Sequence, residues 1–314
     1  MRAVHVTQFG GPEVLEVREV PEPVAAAGEV IVAVAAADVM FLDARLRSGW
    51  GTEYFAVEPP YVPGGAIAGV VTEVAPDVDP SWIGKRVATA TAASGIGGGL
   101  PIGGYAERAA AKARTLIEIP EPLTFAQAVA LTHDGKTALA IFDRAAPQPG
   151  EWVLITAAGG GLGTLLIQFV RAAGAHVIAA ARGSAKLQLA ERLGADVVVD
   201  YSEPDWIDKT RAVEHDVHLG TAGGGRFIGY GSAAGNFADL DRDALAARRI
   251  VALGLFDITG DDTDWHALAE RAQSAVAAGE VEVVIGQTYP LDRATDAHTA
   301  IDDRTALGRT LLTN

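Results

Sequence analysis

The stretch Glu151-Trp152-Val153-Leu154-Ile155-Thr156-Ala157-Ala158-Gly159-Gly160-Gly161-Leu162-Gly163, running on through Leu165 to Ala173, decides the fold class of this chain. Trp152 to Thr156 is an apolar run of strand length, and Leu165 to Ala173 is an apolar run long enough for a helix. The turn between them, Ala158 to Gly163, has the form A-x-G-x-x-G, one small-residue substitution away from the dinucleotide fingerprint. In that pattern Gly160 lets the backbone approach a pyrophosphate, and Gly163 lets the helix pack closely on the strand. Gly161, Leu162 and Gly163 then open a helix whose free N–H groups and partial positive charge face the phosphates. Glycine clusters are common in tight turns; it is the position between strand and helix that points to a dinucleotide.

Working outward, Val177 to Ala180 reads as a second strand, Ala185 to Leu193 as a second helix and Val197 to Asp200 as a third strand. Such alternation implies βαβ units, hence an α/β fold with a doubly wound parallel sheet of the Rossmann type. Upstream the character differs. Val4 to Val6, Val14 to Val17, Val30 to Ala36, Ala68 to Val74 and Arg86 to Thr91 are short β-branched runs punctuated by Gly and Pro. Residues 94–104 hold six glycines and read as a loop. After Pro120-Glu121-Pro122, Thr124 can cap a helix from Phe125 to about Thr132, with a second helix from Thr137 to Arg144. The expected division is a β-rich domain over 1–122, completed by 281–314, and a dinucleotide-binding domain over 123–280.

Composition narrows the function. A chain of 314 residues suits two domains. Its 49% hydrophobic and 21% charged residues are the balance of a packed globular protein. A net charge of −15 disfavours nucleic acid, RNA included, and anionic membrane as partners. No apolar run is long enough to span a bilayer, and Met1 to Gly10 lacks the order of a signal peptide. There are no cysteines, which excludes disulfides, thiolate metal ligands and thiol nucleophiles. The expected location is the cytoplasm.

The choice of dinucleotide turns on the end of the second strand. An NAD site usually places Asp or Glu there, ~20 residues past the turn, to hold the ribose hydroxyls. Here the strand runs into Ala180-Ala181-Arg182-Gly183-Ser184, with Lys186 following and no acid. A 2′-phosphate would meet cations and a hydroxyl, so the expected cofactor is NADPH. The plainer alternative is that Arg182 and Lys186 form a solvated helix start.

On these residues the chain resembles the medium-chain dehydrogenase/reductase superfamily, in its zinc-free NADPH:quinone oxidoreductase (zeta-crystallin-like) branch. The resemblance also rests on Met1-Arg2-Ala3-Val4, Phe9 to Leu15, Pro147 to Gly163, Lys186-Leu187, Leu193 to Asp196 and Val199-Asp200-Tyr201. It implies a GroES-like catalytic domain joined to a Rossmann domain, a catalytic cleft between them, and a homodimer. It also implies that Lys186, Tyr201 and Arg304 grip the 2′-phosphate, that Gly229 and Phe256 touch the nicotinamide half, and that Thr137 holds the carboxamide.

Zinc-dependent members take ligands from positions that look to be occupied here by Met40, Gly65 and His133. One possible ligand of three cannot build a catalytic zinc centre, so no metal is expected. Without a metal to polarise a simple carbonyl, a conjugated acceptor such as a quinone or enone is the better substrate, because its π system spreads the arriving charge. His133 is the candidate proton donor, an imidazole of suitable pKa, although a helix-end histidine that only packs is the plainer reading. Tyr54, in the loop 49–60 expected to border the cleft, is a second candidate catalytic residue, or equally a surface aromatic. Met40 belongs to the substrate pocket by position, and Asp43 is structural.

One region departs from the family pattern. From His215-Asp216-Val217-His218-Leu219 the chain reaches Arg226-Phe227-Ile228-Gly229-Tyr230 through only Gly220 to Gly225. A parallel crossover needs at least ~10–12 residues, so a missing segment is favoured over a shortened sheet. The alternatives in function are an enoyl-thioester reductase and a low-turnover, crystallin-like NADPH-binding protein.

Overall fold

A computed structural model of the chain describes residues 1–52, 57–91, 102–213, 225–229, 241–247, 249–258 and 263–314. These residues form two compact units. One comprises Met1–Asp134 with Ala269–Asn314, the other Gly135–Leu268.

The first unit is built on a strand of eleven residues, β3 (Glu29–Val39), buried along nearly its whole length. Alternating Val and Ala, with Ile31, suit a pleat covered on both faces. Against it pair β4 (Ala66–Val74), β6 (Arg108–Lys112) and β14 (Arg309–Thr313), all antiparallel. With β5 (Arg86–Ala90), β7 (Ile117–Glu118) and β13 (Ile285–Pro290) they make a seven-stranded sheet in the order β13-β14-β3-β4-β5-β7, with β6 joined to β3 off that path. A hairpin of β1 (Arg2–Val6) and β2 (Leu15–Glu19) stands beside it. The contact of β4 with β3 depends on a glycine: a Cβ on Gly69 would lie 1.9 Å from the Ala33 carbonyl oxygen. The core gathers Val30, Val32, Ile67, Val87, Leu116, Leu312 and the ring of Tyr105. Among the described residues two α-helices lie wholly within the unit, α1 (Phe41–Arg47) and α9 (Ala294–Asp302). The last strand pair, β13 and β14, is parallel, and α9 is its crossover.

The second unit holds the alternation expected from sequence. β8 (Trp152–Thr156), β9 (His176–Ala181) and β10 (Val197–Asp200) form a parallel sheet in the order β10-β9-β8. The crossovers are α3 (Gly161–Ala172) and α4 (Ser184–Arg192). Val177 to Ala181 are buried on both faces, the mark of a central strand sandwiched by helices. Beyond them lie α5 (Trp206–Val213), a second parallel pair of β11 (Arg226–Gly229) and β12 (Val251–Gly254), and the short helices α6 (Arg242–Ala247) and α7 (Leu255–Ile258). Residues 214–224, where the missing segment was inferred, lie outside the described residues.

The chain passes between the units within α2 (Phe125–Ala145) and α8 (Trp265–Ala277). Sequence suggested two helices over the first of these spans; the structure has one, unbroken through His133-Asp134-Gly135-Lys136. A single mid-helix glycine costs only ~1 kcal/mol, and Gly135 is buried, so packing overrides the local break. Thr124 does cap it: its Oγ1 accepts from the Gln127 N–H at 3.2 Å while Gln127 Oε1 accepts from the Thr124 N–H at 3.0 Å. Among the described residues no helix is long and apolar enough to cross a membrane.

Candidate active site

In the second unit, β8 ends at Thr156 and Ala157 takes a left-handed conformation, with φ +52°. That reversal throws the chain back toward the N-terminus of α3. The Ala158 N–H donates to Ala180 of β9 and the Gly160 N–H to Ala157, closing the turn. The glycines divide by what surrounds them. A Cβ on Gly163 would stand 2.7 Å from both the Ala157 oxygen and the Ala158 Cα, so helix and strand meet there without space for a side chain. A Cβ on Gly160 would find only the Ala157 oxygen, at 3.4 Å. No side chain caps α3. An open glycine at the N-cap of an uncapped helix is a cradle that a pyrophosphate fits.

The adenosine end of the site would lie where β9 stops. Arg182 and Ser184 are exposed there, on either side of Gly183, and Lys186 is half-buried with its stem against Gly159. Tyr201 comes to the same turn through its N–H, which donates to the Ala181 oxygen at 3.2 Å. Asp200, at the end of β10, organises the group. Its Oδ2 accepts from the Gly183 N–H at 2.9 Å, and its Oδ1 accepts from the N–H of Ser202 at 2.9 Å and from its hydroxyl at 2.5 Å. The Ser202 and Gly183 hydrogen bonds, with the nearby Arg182 charge, hold this carboxyl below the usual range. The carboxylate thus shapes the turn, with both oxygens accepting. Four of the expected phosphate-binding residues, Arg182, Ser184, Lys186 and Tyr201, therefore gather around one turn. Arg304 belongs to the other unit, in the turn just past α9, in a left-handed conformation, φ +57°, with its N–H donating to Ile301.

Thr137 lies half-buried on α2, and Gly229 ends β11. Phe256 falls in α7, its side chain outside the described residues, and Tyr54 lies outside them altogether.

In the first unit, Met40 is half-buried at the mouth of α1. Its N–H donates to Asp43 Oδ2 at 2.9 Å, the N-terminal bond that starts the helix. Asp43 also accepts from the Tyr105 hydroxyl at 3.4 Å, and that hydroxyl lies 3.1 Å from His298 Nε2. Burial pushes the Asp43 carboxyl up to about 6 against these hydrogen bonds. His133 sits half-buried on α2 with its Nε2 buried. The next residue, Asp134, is ion-paired with Arg309, which also holds Asp38. Burial pushes Asp38 up to about 7 in spite of Arg309, and Asp134 adds to the shift. Sequence reasoning passed over Asp38, Asp134 and Arg309. The one signal available was a charged residue near the end of an otherwise apolar strand, Asp38 in β3. Among the described residues no cluster of three or more His, Cys, Asp or Glu could hold a metal ion.

Residues 26–121 match the alcohol dehydrogenase GroES-like domain, and residues 161–228 match the family described as zinc-binding dehydrogenase. The chain is 32% identical to a quinone oxidoreductase of Rattus norvegicus over 319 residues, which covers 95% of this chain and 93% of the relative. Among solved structures, a mycobacterial protein complexed with NADPH is 27% identical with a TM-score of 0.84, covering 100% of both chains. An NAD-dependent alcohol dehydrogenase is 29% identical with a TM-score of 0.83, again over 100% of both.

Proposed function

We propose that this chain, which belongs to the quinone oxidoreductase family of the medium-chain dehydrogenase/reductase superfamily, is an oxidoreductase that takes hydride from NADPH and delivers it to a quinone or other α,β-unsaturated carbonyl without a metal. The observation that carries the reading is the turn at the end of β9. Arg182, Ser184 and Lys186 follow it directly and Tyr201 joins it through its backbone N–H, while β9 itself ends on alanines where an acid would select the ribose hydroxyls. The mycobacterial neighbour complexed with NADPH supports the same choice.

When bound, the nicotinamide supplies the hydride. The chain supplies everything else. Gly160 and the N–H groups of Gly161, Leu162 and Gly163 hold the pyrophosphate, Arg182 and Lys186 neutralise the 2′-phosphate, and Thr137, Gly229 and Phe256 belong to the nicotinamide half. Met40 offers a thioether surface to a flat conjugated acceptor. His133 donates a proton once the acceptor oxygen carries charge, and water reprotonates the imidazole afterwards. The metal-free route follows from the donor set: a thioether at Met40 and no side chain at Gly65 leave His133 without the partners a tetrahedral zinc needs. By the same family reading the enzyme is a cytoplasmic homodimer.

The test is NADPH oxidation followed at 340 nm against several quinones and enones, with NADH and EDTA as controls. Turnover that prefers NADPH and ignores EDTA is expected. Preference for NADH would assign the ribose to Asp200 and overturn the phosphate reading. Tight NADPH binding with no oxidation by any acceptor would leave a binding protein, and turnover of enoyl thioesters alone would move the substrate class.

A further inference from the structure

Three elements far apart in the sequence converge on one guanidinium. Arg309 opens β14, and its Nε donates to Asp38 Oδ1 at 3.0 Å while its Nη2 donates to Asp38 Oδ2. Its Nη1 donates to Asp134 Oδ2 at 2.8 Å. The Asp38 side chain is wholly buried, and those of Asp134 and Arg309 are only 15% and 12% exposed. Two carboxylates therefore share one cation in the interior of the first unit.

Such a group is a poor device for stability, since apolar residues of the same volume hold a core as well or better. What a guanidinium fork offers is direction: a bidentate pair fixes both the distance and the angle of its partner. The neighbours of the two carboxylates show what that direction serves. Asp38 stands two residues before Met40, and Asp134 directly follows His133. Met40 is also held from the other side, through its N–H to Asp43. Its backbone thus lies between two buried anchors. On α2, fixing Asp134 fixes the origin of the His133 ring, because adjacent Cα atoms are only ~3.8 Å apart.

We propose that Arg309 is a positioning residue, which by clamping Asp38 and Asp134 together sets Met40 and His133 in fixed relation to one another. The proposal rests on the reading of those two side chains as acceptor surface and proton donor. Loss of the clamp frees the end of β3 from the middle of α2 while leaving the cofactor cradle of the second unit as it is. Lysine in place of Arg309 keeps the charge but loses the planar fork that grips Asp38 through two nitrogens while a third reaches Asp134.

The experiment uses the full chain with Arg309→Lys and Asp134→Asn, and with Arg171→Lys as a control for the same substitution at a more exposed pair of the other unit, Arg171 with Asp196 at 3.0 Å. Because the chain has only two methionines, [methyl-13C]methionine labelling gives one signal for Met40 and one for Met1. Both test variants should lower kcat ~10- to 100-fold, as expected for a displacement on the order of 1 Å, while NADPH affinity stays near that of the wild type. Both should shift or broaden the Met40 methyl signal. His133→Phe should move that signal in the wild-type background and move it less in the Arg309→Lys background. Arg171→Lys should alter neither. A melting temperature that falls in Arg309→Lys while kcat and the Met40 signal stay as in the wild type would show a purely structural clamp and overturn the proposal. If the wild type reduces no acceptor, the functional reading fails by itself. The methyl signal then still decides whether Arg309 holds Met40 and His133 in register.

Discussion

Lys186 lies with its stem flat against Gly159: a Cβ on that glycine would stand 2.6 Å from the Lys186 Cβ and 2.7 Å from its Cγ. The first glycine of the turn thus makes room for the side chain of Lys186, which comes from the neighbouring helix α4. Gly159→Ala should push the Lys186 side chain aside without touching the pyrophosphate cradle. NADPH affinity should fall by roughly tenfold, the equivalent of one weakened charge-assisted hydrogen bond, while NADH affinity stays nearly unchanged. Titrating the protein fluorescence with each dinucleotide measures the ratio, and an equal loss for both would place Lys186 away from the 2′-phosphate.

Gly160 and Gly163 should separate binding from folding. Gly160→Ala meets one atom at 3.4 Å, so the fold should survive with a change within about 1 kcal/mol, and the added methyl should instead exclude the pyrophosphate. Gly163→Val collides with backbone at 2.7 Å and should destabilise by more than ~3 kcal/mol, as overpacking against an unyielding neighbour does. Urea denaturation with and without NADPH distinguishes them: added cofactor should raise the midpoint of the wild type and leave that of Gly160→Ala where it was.

His298 makes acid stability a local question. It is fully buried, and burial together with the Arg47 charge pushes its imidazole down to about 3. The unfolded chain therefore binds a proton that the folded one refuses, between about pH 6.5 and pH 3. In that window this group makes stability fall as pH falls, at up to ~1.4 kcal/mol per pH unit, and it has no effect above the window. Asp38 and Asp43, raised to about 7 and about 6, act with the opposite sign across part of the same range. His298→Gln should melt with a shallower loss between pH 6 and pH 4 than the wild type, and parallel curves would refute the assignment.

Arg47 is nearly as deeply placed, its side chain 2% exposed, and its Nη2 donates to Asp302 Oδ2 at 2.5 Å. Its Nε and Nη1 are buried without a hydrogen-bond partner, so among the described residues Asp302 of α9 is the carboxylate that answers this cation. Asp302→Asn should cost about 1–3 kcal/mol, because it leaves a buried cation without its counter-charge. Asp303→Asn, one residue on and exposed, should stay within about 0.5 kcal/mol. Equal effects from the two would mean that solvent already screens the Arg47 pair.

Much of the second unit could be seen in its residues. The strand, turn and helix around Gly160 are local: each hydrogen bond that closes them spans a few residues, and side-chain size alone dictates which position must be glycine. The same holds for Thr124, whose capping box with Gln127 is written within four residues. The break expected inside α2 failed for a related reason. Polar residues and a glycine at 133–136 weaken a helix locally, but tertiary burial of Gly135 outweighs that preference. The region around residue 220 stays where the sequence left it, as a connection six residues long in a chain whose relatives match it over nearly their whole length.

What the sequence alone determined is the class of fold and the place of the glycine turn, since both depend on periodicity and on backbone freedom, which neighbouring residues impose on each other. The clamp of Arg309 on Asp38 and Asp134 was decided only by tertiary structure. Its partners stand 271 and 175 positions apart along the chain. No local pattern announces such a pair, because a charge is tolerated inside a core only when folding delivers its counter-charge, and that delivery is a property of the whole sheet.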